Sequence, residues 1–139
     1  MALMTPALQS LIESDALGHL VTVNEDGSPQ VSVVWIGLED QEIVIGHLGQ
    51  GHKMANIQRD PKVVLTIEST GVNEIGLRHY AIVHGLASIE VGGAPELLQR
   101  LAATYIGAGV KFPPMEEPPP GHVIRISPTR VSGVGPWTL

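Results

Sequence analysis

The chain has 139 residues and a net charge of −6, contains no cysteine, and is 43% hydrophobic but only 16% charged. This predicts a single globular domain spanning residues 1–139. The scattered basic residues argue against a nucleic-acid partner, and the lack of cysteine excludes disulfides and thiolate metal sites. With neither a signal-peptide pattern nor an apolar run of about 20 residues, we expect a cytoplasmic protein without a membrane partner.

The first predicted element is a short helix at about residues 6–14. Thr5 followed by Pro6 is typical of an N-cap and a first helical residue. A second clear helix is predicted at residues 95–106, where Leu97, Leu98 and Leu101 recur at helical spacing. Between these two helices, one further short helix is predicted after the glycines near residue 50.

Segments rich in β-branched residues, separated by turn residues, predict six or seven short strands. We place them at residues 17–23, 30–36, 42–47, 62–68, 80–89, 122–126 and, after a turn at Ser127-Pro128, a last strand ending at Val131. Asp26-Gly27 is a strong hairpin signal, and Gly85 in the middle of a strand predicts a bulge or a close backbone approach. The proline-rich residues 107–121 and residues 69–77 are predicted to be loops.

The segment from Gly49 to Pro61 predicts a glycine loop, a short helix and a strand. We expect Gly49 and Gly51 to take loop conformations that a residue with a side chain would resist. Free N–H groups at the helix start and the cation of Lys53 then point at one place, which favours an anion such as a cofactor phosphate. Asn56 either pins this loop by hydrogen bonds or contacts a ligand.

Strands and helices in this order favour a small antiparallel barrel with helices packed at its ends. The chain also resembles the split β-barrel family of pyridoxamine-phosphate-oxidase-like flavin and deazaflavin proteins. The motifs that carry the resemblance are Asp26-Gly27-Ser28-Pro29-Gln30, Lys53-x-x-Asn56-Ile57-x-x-Asp60-Pro61, His84-Gly85-x-Ala87 and a closing Gly135-Pro136-Trp137. Within the family, the chain is most similar to the small actinobacterial-type branch that uses the deazaflavin coenzyme F-420.

The resemblance implies a mainly β fold, a six- to seven-stranded antiparallel split barrel, and a homodimer with two cofactors at the subunit interface. It also implies that the basic pair holding the cofactor phosphate corresponds to His52 and Lys53. Many relatives have arginine at the position of His52, and deazaflavin relatives often have arginine at Gly51. We therefore expect the phosphate site to depend on Lys53 and on backbone N–H groups.

Further cofactor contacts are implied on the second and third strands, in the loop and near the end of the chain. They are Gln30, Ser32, Val33, Val34, Ile45, Gly46, His47, Gln50, Gly51, Asn56, His79 and Trp137. Trp137 is expected to come from the other subunit and to pack across the dimer, and His79 to face the neighbouring subunit's cofactor. Trp35 fits a pocket wall, the core or the interface, and Tyr105 fits the core.

The resemblance implies a flavoprotein-like oxidoreductase in which the flavin or deazaflavin carries the hydride itself. No nucleophile–base pair stands out, and we assign no catalytic residue. The leading hypothesis is an F-420-dependent reductase of a small organic substrate. The alternatives are an FMN-binding oxidase or flavin reductase of the same fold, or a non-catalytic flavin- or deazaflavin-binding protein. The six histidines form no metal-ligand pattern, so we expect no metal site.

Overall fold

The structure is a computed structural model that describes residues 3–49 and 51–138. Its helices are α1 (Pro6–Ile12), α2 (His52–Arg59) and α3 (Ala94–Tyr105). Its strands are β1 (Gly18–Val23), β2 (Pro29–Val34), β3 (Gly37–Glu39), β4 (Glu42–His47), β5 (Lys62–Val72), β6 (Arg78–Val91) and β7 (His122–Val134). None of the helices formed by the described residues has the length and apolar character needed to cross a membrane.

The seven strands form one antiparallel sheet in the order β2-β1-β5-β6-β7-β4-β3. Leu20 of β1 and Ile45 of β4 share one core cluster with Leu65, Val83 and Ile126 of the central strands. Strands β1 and β4 are not neighbours in the sheet, so the sheet must close on itself to bring them together. The predicted mainly β, seven-stranded split barrel is confirmed.

Helices α1 and α2 pack against the main core, and α3 packs against Val44 on the other face of β4. In α1, the N–H of Leu8 donates to Thr5 Oγ1 at 3.2 Å, which confirms the predicted cap. Helix α3 packs directly on the sheet at Gly37 and Gly46. A Cβ atom at either glycine would lie 2.9 Å from a leucine of α3, Leu101 or Leu98 respectively. The missing side chains therefore bring α3 close to β4.

Besides shifts of a few residues at the ends of elements, the structure differs from the sequence prediction in three segments. Residues 37–39 form an additional strand, because Asp40 and Gln41 both adopt positive φ angles (49° and 69°) and make a tight turn back into β4. Residues 69–72 extend β5 instead of forming a loop. The predicted turn at Ser127-Pro128 is absent, since β7 continues through it.

The continuity of β7 follows from the bulge that Gly85 predicts. The register of β6 against β7 shifts between His84 and Gly85, with Gly85 opposite Pro128. A Cβ atom at Gly85 would lie 2.6 Å from Ile126 Cγ2 and 2.8 Å from the carbonyl oxygen of Ser127. The bulge thus accommodates a proline, which has no N–H to donate, inside a long strand.

Candidate functional site

A cavity of about 410 Å³ opens beside the edge strand β2, between the end of β4 and the start of α2. Its volume falls within the roughly 300–1,000 Å³ of small-molecule sites. It is lined by Val33, Val34, Trp35, Gly46, His47, Leu48, Gly49, Lys53, Leu98 and Phe112. Most of these residues are apolar or aromatic, and none of the described ones carries a carboxylate. The lining suits a ligand with an apolar body and an anionic group.

Lys53 supplies the positive charge of the cavity. It is half-buried, and this burial lowers the pKa of its ammonium group, because desolvation disfavours the charged form. The ion pairs found among the described residues are made by Arg100 and Arg125 with glutamates, not by Lys53. A bound anion would therefore compensate a cation that the described protein groups leave without a counter-charge.

The start of α2 adds hydrogen-bond donors next to Lys53. The N–H groups of Met54 and Ala55 donate to the carbonyl of Gly51 at 3.2 and 3.4 Å. The two preceding N–H groups, of His52 and Lys53, have no acceptor inside the helix, as at any helix N-terminus. These two donors and the positive end of the helix dipole favour an anion at the same place as the ammonium group.

The prediction that Gly49 and Gly51 need special backbone conformations is wrong. Gly51 has φ −172° and ψ 173°, an extended conformation open to any residue, and Gly49 is not among the glycines with positive φ. A Cβ atom at Gly51 would lie 3.5 Å from His47 Nε2, an ordinary contact, and one at Gly49 would meet no atom within 4 Å. What these glycines provide is open space beside Lys53.

Trp35 and Phe112 form an aromatic wall of the cavity. The Trp35 ring is stacked on Tyr105, with centroids 5.3 Å apart and planes 3° apart, and is tilted against Phe112 at 5.0 Å. The Tyr105 hydroxyl donates to the carbonyl of Ala16 at 2.6 Å and accepts from the N–H of Ile36 at 3.1 Å. Burial raises the pKa of this hydroxyl, so Tyr105 stays neutral and holds Trp35 in place.

Phe112 belongs to the proline-rich loop and is fixed by one side chain of α3. The Gln99 carboxamide donates to the carbonyl of Val110 at 2.7 Å and accepts from the N–H of Phe112 at 2.9 Å. This two-point clamp ties the loop to α3, so that the loop contributes a defined wall to the cavity.

Comparison with known proteins identifies the family to which this chain belongs. The sequence profile described as pyridoxamine 5'-phosphate oxidase matches residues 4–135. The chain belongs to the pyridoxamine 5'-phosphate oxidase family. No curated protein matches it. Among solved structures, an F-420 reductase is 28% identical, with a TM-score of 0.70 and coverage of 89% of this chain and 94% of that one.

Two other solved structures share the fold of this pyridoxamine 5'-phosphate oxidase family member at lower identity. A pyridoxamine 5'-phosphate oxidase-type protein from Listeria innocua is 20% identical, with a TM-score of 0.65 and coverage of 92% of this chain and 95% of that one. An FAD-binding protein from Mesorhizobium loti is 15% identical, with a TM-score of 0.63 and coverage of 93% of each chain. Both support the split-barrel fold.

In this family member, five of the residues implied as cofactor contacts meet in one cavity. They are Val33, Val34, Gly46, His47 and Lys53. Gly51 adjoins them through its close approach to His47. Gln50 lies outside the described residues.

Gln30, Ser32 and Asn56 instead form a polar network that joins α2 to the barrel. Asn56 Nδ2 donates to Thr22 Oγ1 at 3.0 Å and to Asn24 Oδ1 at 2.9 Å, and its Oδ1 accepts from Arg59 at 2.8 Å. The Thr22 hydroxyl donates to Gln30 Oε1 at 2.9 Å, and Gln30 Nε2 donates to Ser32 Oγ at 3.1 Å. Asn56 was expected either to pin the loop by hydrogen bonds or to contact a ligand, and the structure shows the hydrogen bonds.

The other implied contacts among the described residues do not line this cavity. Ile45 points into the core, because its neighbours along β4 face the opposite side. His52 is exposed and lines a separate cavity with Asn24 and Arg59. His79 packs edge-on against Trp137, with ring centroids 5.8 Å apart.

Trp137 is only 6% exposed and belongs to the core of its own chain, where Nε1 donates to the carbonyl of Tyr80 at 2.9 Å. The expectation that the indole needs a second subunit to cover it is therefore wrong. The same chain supplies the apolar surface and the hydrogen-bond acceptor that a buried indole requires.

Sequence reasoning missed Leu48, Leu98 and Phe112 as lining residues. Leu98 follows the helical pattern of a core residue, and only the direct contact of α3 with Gly46 brings it to the cavity. Phe112 is the single phenylalanine of the chain and lies within a loop otherwise rich in proline and glycine. An isolated aromatic residue in such a loop is the signal by which Phe112 could have been identified as a lining residue of the cavity.

Proposed function

We propose that this protein is a coenzyme F-420-dependent reductase that transfers a hydride to a small organic substrate. The observation that carries the proposal is the cavity beside β2, whose lining combines the half-buried Lys53 with apolar and aromatic side chains. The family membership and the likeness to an F-420 reductase support it.

The residues present fit such a cofactor. Lys53 and the first two N–H groups of α2 bind its phosphate, while Val33, Val34 and the Trp35–Phe112 wall hold the flat ring system. A bound deazaflavin supplies the hydride chemistry, so the protein needs to bind, orient and exclude water. This accounts for a cavity whose described lining offers no carboxylate base.

We also propose that the protein acts as a homodimer through the outer face of β1 and β2. Val23, Val31 and Val33 point outward there and are 38%, 57% and 58% exposed, and the register places Val31 directly opposite Val21 on the same face. Val33 belongs both to this apolar face and to the cavity. A second subunit on this face would cover the open side of the cavity.

FMN is the alternative cofactor, and one observation favours it. The two N–H groups at the start of α2 suit a terminal phosphate, which carries up to two negative charges and three acceptor oxygens. With FMN bound, the protein would be an oxidase or a flavin reductase of the same fold. A bound cofactor without turnover would instead indicate a carrier protein.

Fluorescence titration of the purified protein with F-420 and with FMN tests the proposal. We expect saturable quenching by F-420 and reduction of at least one acceptor from a panel when a reductant regenerates the cofactor. A yellow protein with a flavin spectrum and a preference for FMN would support the alternative, and binding of neither cofactor would exclude both enzyme functions.

A further inference from the structure

We propose that two copies of this chain recognise each other through the β5–β6 hairpin, each placing its hairpin tip (residues 73–77) in a cavity at the hairpin base of the other. The inference rests on the homodimer of the proposed function, and it names the contact that sets how the two copies are arranged.

The hairpin tip is a rigid turn that exposes a large apolar side chain. Asn73 Oδ1 accepts from the N–H groups of Ile75 at 3.1 Å and of Leu77 at 2.9 Å, and the Asn73 N–H donates to the Leu77 carbonyl at 2.8 Å. Ile75 in this turn is 81% exposed, and Val72 just before it is 57% exposed. A side chain that is already held in one position loses little conformational freedom when a partner covers it, which favours binding.

The base of the same hairpin carries an apolar cavity of about 370 Å³. Val64 and His84 of its lining follow the core residues Val63 and Val83 along their strands, so they point to the outer face of the sheet. Most of the described lining residues are aliphatic, and none carries a carboxylate: Val21, Val23, Lys62, Val63, Val64, His84, Gly85, Leu86 and Thr129. The cavity therefore suits an aliphatic side chain.

The charges of tip and base are opposite. Glu74 precedes Ile75 in the tip and is exposed. At the base, the exposed Arg130 donates from its guanidinium to His84 Nε2 at 2.8 Å. Neither Glu74 nor Arg130 takes part in the ion pairs found among the described residues. Opposite charges beside an apolar contact favour one orientation of the two partners.

Tip and base are too far apart to meet within one chain. Lys62 pairs with Leu86 at the base, and Val72 pairs with Arg78 at the tip. The strand from Lys62 to Val72 spans about 33 Å at the usual rise per residue. If two copies pack face to face with their hairpins running in opposite directions, each tip lies over the base of the other. A two-fold axis across the middle of the hairpin makes the two contacts identical and closes the dimer.

The surface between tip and base is compatible with this packing. Its outward-facing residues alternate with core residues and are mostly uncharged, with Glu68 as the carboxylate among them: Val64, Thr66, Glu68, Thr70, Tyr80 and Ile82. Strand β1 lies beside β5 in the sheet and contributes Val21 and Val23 to the cavity. The contact is therefore continuous with the β1–β2 face proposed for the homodimer.

Introduced cysteines test the contact directly, because the chain contains no cysteine of its own. In the full chain, Ile75→Cys combined with Leu86→Cys should give a covalent dimer with a short bismaleimide cross-linker. Neither single variant should do so, since tip-to-tip and base-to-base distances are long in this arrangement. Ile75→Cys combined with Ile106→Cys is the matched control, because Ile106 is exposed at the end of α3.

A second measurement follows the dimer without a cross-linker. Ile75→Asp should raise the dissociation constant of the dimer by about 100-fold, because an aliphatic cavity disfavours a charge. Ile106→Asp should leave it near that of the parent, and light scattering over a concentration series measures both. A dimer that fails to cross-link in the double variant, or that cross-links equally in Ile75→Cys alone, would overturn the inference. The cross-linking result decides if Ile75→Asp does not fold.

These measurements need no cofactor, so they separate this inference from the proposed function. A dimer that binds F-420 or FMN but does not cross-link from tip to base removes the inference and leaves the proposed function. Cross-linking from tip to base in a protein that binds neither cofactor does the reverse. A parent that stays monomeric removes the inference together with the proposed homodimer, while cofactor titration still decides the proposed activity.

Discussion

The indole Nε1 of Trp137 donates a hydrogen bond to the carbonyl oxygen of Tyr80 at 2.9 Å within one chain. The ring also fills part of the main core and lines a small cavity beside α1. Trp137 therefore completes part of the core of its own chain.

Trp137→Ala should lower the free energy of unfolding by about 3–5 kcal/mol, the usual cost of removing a large buried aromatic side chain. Trp137→Phe retains most of the apolar surface but leaves the Tyr80 carbonyl without its donor, and should cost about 1–2 kcal/mol. Urea unfolding followed by circular dichroism measures both. An unchanged midpoint for Trp137→Ala would show that the indole contributes nothing to the core.

Lys53→Ala should weaken cofactor binding by about 1.5–3 kcal/mol, the scale of a hydrogen bond to a charged group. The reason is that Lys53 is the cation among the described residues of the cavity lining. Lys62→Ala is the matched control, because Lys62 is exposed on β5 and lines a different cavity. Equal dissociation constants for the two variants would mean that the phosphate is held elsewhere.

The lowered pKa of Lys53 makes a separate prediction about stability in the absence of cofactor. Its folded-state pKa lies below the ordinary value of 10.5, so between these two values the unfolded chain binds more protons, and stability rises with pH. Lys53→Met should therefore be more stable than the parent at pH 7, and this gain should shrink as the pH approaches 10.5. Urea unfolding at pH 7 and pH 10 provides the comparison, and a gain that does not change with pH would contradict it.

Gly51→Arg should tighten cofactor binding by about 1 kcal/mol, because a guanidinium placed there can reach the same anion. The extended backbone and the ordinary 3.5 Å contact allow the side chain. A cation at a helix N-terminus costs about 0.3–1 kcal/mol of stability when no anion is bound. The cofactor-free variant should therefore unfold at a slightly lower temperature than the parent.

Gly51→Ala should fold and bind like the parent. Gly121→Ala should not behave like the parent. Gly121 has φ +58°, and a Cβ atom there would collide with the carbonyl oxygen of His47. Calorimetric titration of all three variants checks the order of affinities. Weaker binding by Gly51→Arg than by Gly51→Ala would place the anion away from α2.

Gln99→Ala should release the proline-rich loop, because it removes both hydrogen bonds of the clamp on Val110 and Phe112. Global stability should fall by only about 1 kcal/mol, since the groups are exposed. Trypsin cleavage after the exposed Lys111 should become faster than in the parent and in Gln58→Ala, a control on the exposed side of α2. Equal cleavage rates in all three proteins would show that Gln99 does not hold the loop.

Local patterns were sufficient to predict the cap at Thr5, the bulge at Gly85 and the presence of α2, because each depends on a few adjacent residues. They could not show that His47, and not His52, lines the same cavity as Lys53. That choice depends on how α2 docks through Met54 and Ile57, a tertiary contact. The same limit explains β7, where Pro128 predicts a turn in isolation but is accommodated by a register shift in β6.

The short link of Trp35 and Ile36 joins β2 to β3, which form the two outer edges of the sheet. The cavity lies at this gap, touching β2 on one side and β4, the neighbour of β3, on the other. A ligand bound there would contact both β2 and β4, which are not hydrogen-bonded neighbours in the sheet. A bound ligand would therefore oppose separation of the barrel at this gap.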